Sequence, residues 1–391
     1  MNSLRETIDA SPRLRRLMWE SGETGSEREP MALGPALWDW EFVQRILVVR
    51  LRSIGDTVLT TPALFALRRF LPNVQIDILL EDWVAPVLDG CRDIDNIITF
   101  QRGSKRSRLD ATRTIRKTRY DVVFNLHGGT TATLMTRASG APRRVGFAHY
   151  QYKKLHNYLA PSSLDLWRRD KLHSVEQQLA LIGWTGIPVT DRPSTKLVVT
   201  DRAAESVQVR LNKMGLPSNS QLVVIHPTAS YLTKQWAVEK FARVAEEVAR
   251  RGFVPIALSA AHEAGIVEAL SANAQTSVLG LTDLALPEVT ALTARARLFV
   301  GNDSGIAHIA AAAGAPSVVI FGSSNVTHWR PWASQANEVV REELPCQPCH
   351  GYFCAEFEQP ECILRVPVER VVGAIDRVLR DSENETQNQG R

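Results

Sequence analysis

Apolar residues along this chain fall into short continuous runs. Each run is closed by small polar residues and followed by a stretch with helical spacing. Arg45–Leu51 reads RILVVRL, a strand by its branched residues, and leads through Arg52-Ser53-Ile54-Gly55-Asp56 into a helical stretch from about Thr57 to Phe70. Further strands are predicted at Val74–Leu80, Ile94–Phe100 and Val122–Leu126, with helical stretches between them. Strands this uniformly apolar are buried on both faces, and their alternation with helices is the pattern of a parallel sheet covered on both sides.

A helix from His173 to about Trp184 precedes Gly186-Ile187-Pro188 and Asp191-Arg192-Pro193-Ser194, which read as a linker. A second series follows, with strands at Leu222–His226, Val254–Leu258, Ser277–Gly280, Leu298–Val300 and Ser317–Phe321 and helices near Val238–Arg251 and Glu288–Arg295. A last helix, about Pro367–Arg380, leads into the polar tail SENETQNQGR, expected to be disordered. The fold class is therefore α/β: two Rossmann-like, doubly wound domains at residues 41–187 and 188–365, facing a central cleft. Residues 1–40 form an extension expected to be poorly ordered, and residues 366–391 a terminal helix and tail. Sheets of this kind bind ligands beyond the carboxyl ends of their strands.

The chain has 391 residues, 44% of them hydrophobic, enough for two real cores. A net charge of +4 is too mild to argue for nucleic acid. No apolar run approaches the roughly 18 residues of a membrane span, and the N-terminus has no apolar secretory core, so an intracellular protein is expected. Cys91 stands alone and reads as a core thiol. Cys346, Cys349, Cys354 and Cys362 cluster, and Cys346-Gln347-Pro348-Cys349 is a good half-site for a structural metal. The remaining spacings match no standard finger, so reduced thiols and a redox-sensitive disulfide stay open.

Four loops carry residues suited to chemistry. In VGNDSGIAHI (300–309) a strand feeds a helix through a turn of small polar residues, leaving backbone N–H groups and the positive end of the helix dipole for a phosphate. Asp303 adds a carboxylate for a sugar hydroxyl; Asn302, Asp303 and Ser304 serve equally well as helix caps. Asp56, at a strand's carboxyl end, is a candidate general base or a cap for the helix at Thr57, and Gly55 allows close approach. His226–Trp236 offers Thr228 and Ser230 as compact donors and Lys234 as a charge for a diphosphate, or as an ordinary exposed lysine. Asn125–Thr130 brings His127 and two glycines to a strand end. Basic residues crowd Arg102–Arg119 and recur at Lys153 and Lys154, a bias that points to an anionic acceptor or membrane surface. No G-x-G-x-x-G follows either first strand and no P-loop is present, which weakens dehydrogenase and nucleotidase readings.

RILVVRLRSIGDTVLTTPALFALRRFLP (45–72), DVVFNLHG (121–128), VVIHPTASYLTKQW (223–236) and LFVGNDSGIAHIAAAAGAPSVVIFGSS (298–324) together resemble the family 9 glycosyltransferases, the ADP-heptose:lipopolysaccharide heptosyltransferases, over roughly residues 45 to 380. The resemblance implies a GT-B fold and an inverting transfer that requires no cofactor for catalysis, with a structural metal at the cysteines as a separate matter. It implies an ADP-heptose donor, an anionic glycolipid acceptor, no nucleic-acid partner, and a cytoplasmic enzyme with peripheral contact at the inner membrane. Asp56 matches the general base and Lys234 the lysine on the donor phosphates. Asp303, Ser304, Gly305 and His308 match the donor turn, joined on the donor side by Thr228 and Ser230; Ser53, Gly55, His127 and Gly128 fall on the acceptor side. Glu263, in Leu258-Ser259-Ala260-Ala261-His262-Glu263, is a looser match to the acid that holds the ribose, which leaves the nucleotide open. Other readings are a UDP- or GDP-sugar enzyme, an epimerase, and a silent nucleotide- or metal-binding member.

Overall fold

The computed structural model describes residues 29–349 and 351–389. The described residues from Met31 onward form one compact unit containing two six-stranded, all-parallel sheets. The first holds β1 (Arg45–Val49), β2 (Gln75–Glu81), β3 (Asn96–Phe100), β4 (Val122–Asn125), β5 (Arg143–Phe147) and β6 (Tyr158–Ala160), in the order β3-β2-β1-β4-β5-β6. The second holds β7 (Leu222–His226), β8 (Val254–Leu258), β9 (Leu279–Leu281), β10 (Leu298–Asn302), β11 (Ser317–Phe321) and β12 (Asn337–Arg341), in the order β12-β11-β10-β7-β8-β9. Both are the doubly wound arrangement, and in each the order reverses at one place, between β1 and β4 and between β7 and β10.

The central strands are buried end to end: Ile46–Val49, Val122–Phe124, Leu222–Ile225 and Leu298–Val300 are wholly enclosed. Burial of each such side chain stabilises by about 1.5–3 kcal/mol, which is why these runs read clearly in the sequence. The strands that did not read clearly are β5, β6 and β12. They are short edge or near-edge strands whose polar and half-exposed positions break the apolar run. The helix expected from Thr57 is two helices, Ile54–Val58 and Thr61–Phe70, the second entered through Pro62 in its first turn.

Two expectations at the ends of the chain are corrected. Residues 1–28 lie outside the described residues, but 31–40 are packed rather than loose. Leu33 N–H donates to the Gly183 carbonyl at 3.0 Å, Val189 N–H to the Met31 carbonyl at 2.8 Å, and the buried Trp40 indole N–H to the Thr185 carbonyl at 3.1 Å. The aromatic rings supply the apolar area that the polar stretch before them lacks. At the other end the helix runs Val368–Gln389, through most of the tail expected to be disordered. Val371, Ala374, Ile375 and Val378 seal the second sheet, and Arg297 reaches past them to Ser382 at 2.9 Å and Glu383 at 3.0 Å.

Candidate active site between the two sheets

At the first reversal of strand order, Val49 of β1 pairs beside Asn125 of β4, so the chain leaves both strands at the same edge. Arg50 follows β1 at once. Its guanidinium donates to the Leu126 carbonyl at 2.5 Å and pairs with Asp56. Asp56 is the third residue of helix Ile54–Val58, whose cap is Ser53, and its carboxylate accepts from the Ser53 N–H at 3.3 Å and hydroxyl at 3.1 Å. The helix thus begins earlier than expected, and Asp56 completes a capping box from within it. Burial alone would raise the Asp56 carboxyl; Arg50 and the Ser53 bonds outweigh it and hold the group below its ordinary value. Across the reversal, Asn125 accepts from the His127 and Gly128 N–H groups at 3.2 and 3.0 Å. Gly128 sits at a φ of 86° with Tyr150 close by, so a side chain is disfavoured there twice over. Burial, and then the Arg50 charge, pushes His127 down to about 4, so its ring is neutral.

At the second reversal, Gly301 of β10 pairs beside His226 of β7. Asn302 locks the two exits together, accepting from Trp236 N–H at 3.1 Å and donating to the Pro227 carbonyl at 2.8 Å. Ser304 caps helix Gly305–Ala312 through Ala307 N–H, leaving the Gly305 and Ile306 N–H groups without intrahelical partners. Asp303 is buried; it accepts from Ser324 at 2.5 Å and pairs with Lys234 at 2.8 Å. His226 lies between the Thr228 and Ser304 hydroxyls at 3.2 and 3.3 Å, and burial takes it down to about 4.

The two edges face each other. A Cβ on Gly55 would stand 2.7 Å from the His308 ring, and one on Gly305 2.8 Å from Ile54. Two helix N-termini, one from each domain, therefore meet glycine to glycine. Around this contact lie three chambers. The central one, about 440 Å³, takes Ser53, Gly55 and Asp56 from the first domain and Ser230, Lys234, Asp303, Ser304, Gly305 and His308 from the second. On one side, about 270 Å³ is walled by Leu258, Leu284, Leu286 and Val289, with Thr228 donating to Glu263 at 3.0 Å. On the other side, about 200 Å³ is lined by Arg50, Asp56, His127, Tyr150, His328 and Trp329 among others. Asp56 belongs to both the central and this last chamber.

Comparison with known proteins agrees with this architecture. Residues 108–358, more than half of the chain, match the family model described as glycosyltransferase family 9 (heptosyltransferase). The chain belongs to glycosyltransferase family 9. Among its family 9 relatives, lipopolysaccharide heptosyltransferase 3 of Escherichia coli K12 is 27% identical over 346 residues, covering 84% of this chain and 96% of that protein. A family 9 glycosyltransferase of Veillonella parvula superposes with a TM-score of 0.74 at 20% identity, covering 87% of this chain and 98% of its own. The ADP-heptose lipopolysaccharide heptosyltransferase II of E. coli gives 0.72 at 21% identity, covering 87% and 100%. The fold is the two-domain GT-B arrangement of these family 9 enzymes.

Within this candidate site, the residues singled out in the sequence for catalysis or substrate binding all line one of the three chambers or, for Gly128, shape the loop beside one. Arg50, Ser324, His328 and Trp329 were not anticipated. Arg50 had a readable signal, a lone charge closing an apolar strand run at its carboxyl end; the other three had none. The cysteine loop adjoins the site: Cys349 lines the central chamber and its N–H donates to the Ser323 carbonyl at 3.0 Å. Burial, and then the other three cysteines, pushes the Cys362 thiol up to about 11, and Phe357 N–H donates to the Cys354 sulfur at 3.4 Å. Among the described residues, however, no three His, Cys, Asp or Glu side chains form a group able to hold a metal ion. Cys346, Cys349 and Cys354 lie in the loop before helix Glu361–Leu364 and Cys362 is buried within that helix, with no closed ligand set among the described residues.

Proposed function

We propose that the protein is an inverting heptosyltransferase that moves a heptose from an ADP-activated donor to a lipopolysaccharide core or related surface-glycan acceptor. The observation that carries this reading is the position of Asp56 on the wall shared by two chambers. A transferase needs its acceptor hydroxyl within reach of both the base and the donor carbon, which a base at the junction of two chambers allows.

In this reading the nucleoside enters the apolar chamber with its ribose at Glu263 and Thr228, and the diphosphate lies at Ser304 and Gly305 beside Lys234. The acceptor oxygen attacks the anomeric carbon from the face opposite the leaving group. As that C–O bond forms, the bond to the diphosphate oxygen breaks, ADP departs with the electron pair, and the hydroxyl proton passes to Asp56. Lys234 and the helix N-terminus offset the charge growing on the leaving diphosphate, so no cofactor is invoked. Donor binding asks Lys234 to exchange its Asp303 partner for phosphate or to bridge both.

The exposed basic residues of helix Lys105–Thr118 support an anionic glycolipid acceptor met at a membrane surface. No described helix is long and apolar enough to cross a membrane. The four cysteines are soft donors by type, but among the described residues they form no group able to hold a metal ion, and the proposed transfer uses none.

Calorimetric titration with ADP, UDP, GDP and NAD, repeated on Lys234→Ala, tests the donor assignment. The expected result is selective ADP binding, weakened about tenfold or more in the variant, on the scale of a lost charge-assisted hydrogen bond. A preference for UDP or GDP overturns the nucleotide, and equal affinity in the variant overturns the role of Lys234.

A further inference from the structure

The acceptor-side chamber is not built by the first domain alone. After β11 the chain passes through Ser324 into helix Val326–Trp329, and His328 and Trp329 from this second-domain segment line the chamber beside Asp56, Arg50 and Tyr150. The segment is bolted to the first domain and the linker. His328 Nδ1 bonds the Leu172 carbonyl at 3.1 Å, and His173 Nε2 bonds the Arg330 carbonyl at 2.8 Å. The Trp332 indole N–H donates to the Pro193 carbonyl at 2.9 Å, and the rings of His173 and Trp332 lie 4.6 Å apart.

These bonds fix the tautomers. A carbonyl only accepts, so Nδ1 of His328 carries the proton and the neutral ring keeps a bare lone pair on Nε2. His173 is the reverse: its Nδ1 accepts Val175 N–H at 3.1 Å, so Nε2 is the donor and both nitrogens are used. His173 is therefore a bolt, while His328 is a bolt with one acceptor to spare. Burial keeps the His328 ring below its ordinary value, and so uncharged at neutral pH; it senses both Asp56 and Arg50. That spare acceptor matters because the Asp56 carboxylate is already engaged by Arg50 and by both groups of Ser53. A hydroxyl arriving at Asp56 meets a crowded carboxylate and needs a second anchor to hold its sugar ring.

We propose that His328 is an acceptor-binding residue contributed by the donor domain, its Nε2 accepting a hydrogen bond from a second hydroxyl of the acceptor sugar while Trp329 backs the ring. This rests on the heptosyltransferase reading above. The acceptor site is then complete only when the segment 325–332 is seated on the first domain.

Two substitutions separate this role from a purely structural one. Asn places an amide near Nδ1, so His328→Asn keeps the tie to Leu172 and deletes the Nε2 acceptor. Gln places its amide oxygen near Nε2, so His328→Gln restores an acceptor at the cost of the tie. Steady-state transfer with an ADP-heptose donor and a heptose-deficient core acceptor is measured alongside ADP affinity by calorimetry. The expected result is an acceptor KM raised about five- to tenfold in H328N, the loss of one hydrogen bond, with a smaller rise in H328Q and unchanged ADP affinity in both. The opposite order, H328Q impaired and H328N like the wild type, overturns the proposal and leaves His328 a domain tie. Equal acceptor KM in all three proteins overturns it as well. Failure of the wild type itself to bind ADP or to transfer heptose would instead count against the underlying functional reading.

Discussion

Replacing Gly55 by alanine tests whether the glycine-to-glycine meeting of the two helix N-termini sets the reaction geometry. The added Cβ would stand 2.7 Å from Cδ2 of His308, at least 0.7 Å inside the 3.4 Å at which ordinary contact begins. The ring cannot swing away freely: His308 is buried on helix Gly305–Ala312, which packs directly on helix Ile54–Val58. Relief therefore comes from separating the two helices by most of an ångström, or from an overpacking strain of about 1–3 kcal/mol. Separation acts on the distance between donor carbon and acceptor oxygen, because Asp56 rides on one helix and Gly305 begins the other. A misplacement of about 1 Å costs on the order of 100-fold in rate. Gly55→Ala is thus expected to lower kcat for transfer about 100-fold while ADP affinity, which the proposed reading assigns to the second domain, changes little. Thermal unfolding should register the strain as a lowered Tm. His308→Ala in the same chain should recover the Tm without recovering activity, because His308 also lines the central chamber. A Gly55→Ala protein with wild-type kcat and Tm would refute the argument, since the clash would then be absorbed without moving either domain.

Three further outcomes are expected. Asp56→Asn should lower transfer by about 10²–10⁴-fold with ADP affinity retained, as measured by product formation and calorimetry; equal loss of both would reduce Asp56 to a helix cap. His127 and His226 are held at about 4 and His173 at about 3, below the ordinary 6.5, so the unfolded chain binds more protons than the folded one between those values. Stability should accordingly be full above about pH 6.5 and fall as the pH drops toward about 4, and denaturant unfolding across that window would show no slope if the three rings were solvated. Elemental analysis of protein purified without chelator should find no stoichiometric metal, since the four thiols do not converge on a ligand set among the described residues; one equivalent of zinc, lost together in Cys346→Ser and Cys362→Ser, would refute this.

The parts of this fold that could be read from the sequence are those where burial dictates composition. β1, β4, β7 and β10 flank the two reversals and are enclosed along almost their whole length, so their residues are mostly apolar. The loops at their carboxyl ends are dense in Gly, Ser, Asp and Asn because helices begin there, which is why Asp56 and the 302–305 turn stood out. What could not be read depends on long-range contact. Helix Val326–Trp329 is a four-residue turn without periodicity, and nothing local says that His328 crosses to Leu172. The ordered strap at 31–40 follows a polar stretch and owes its order to partners more than 140 residues away, as in the bond from Trp40 to Thr185. The final helix outran its apolar pattern because Arg297, distant in sequence, holds Ser382 and Glu383.

The crossing of residues 325–332 into the first domain bears on how relatives of this enzyme can be recombined. A chimera cut at the linker near residue 188 would exchange the donor domain cleanly by chain order, yet it would also exchange His328, Trp329 and the bolts to Leu172 and His173. The recipient would receive a foreign wall for the chamber beside Asp56 and a mismatched seam beneath it. A graft intended to change only the nucleotide should leave the stretch after β11 with its original first domain, and one intended to change only the acceptor should carry that stretch along. If His328 holds the acceptor as proposed, the unit that sets acceptor choice in this protein is discontinuous in sequence.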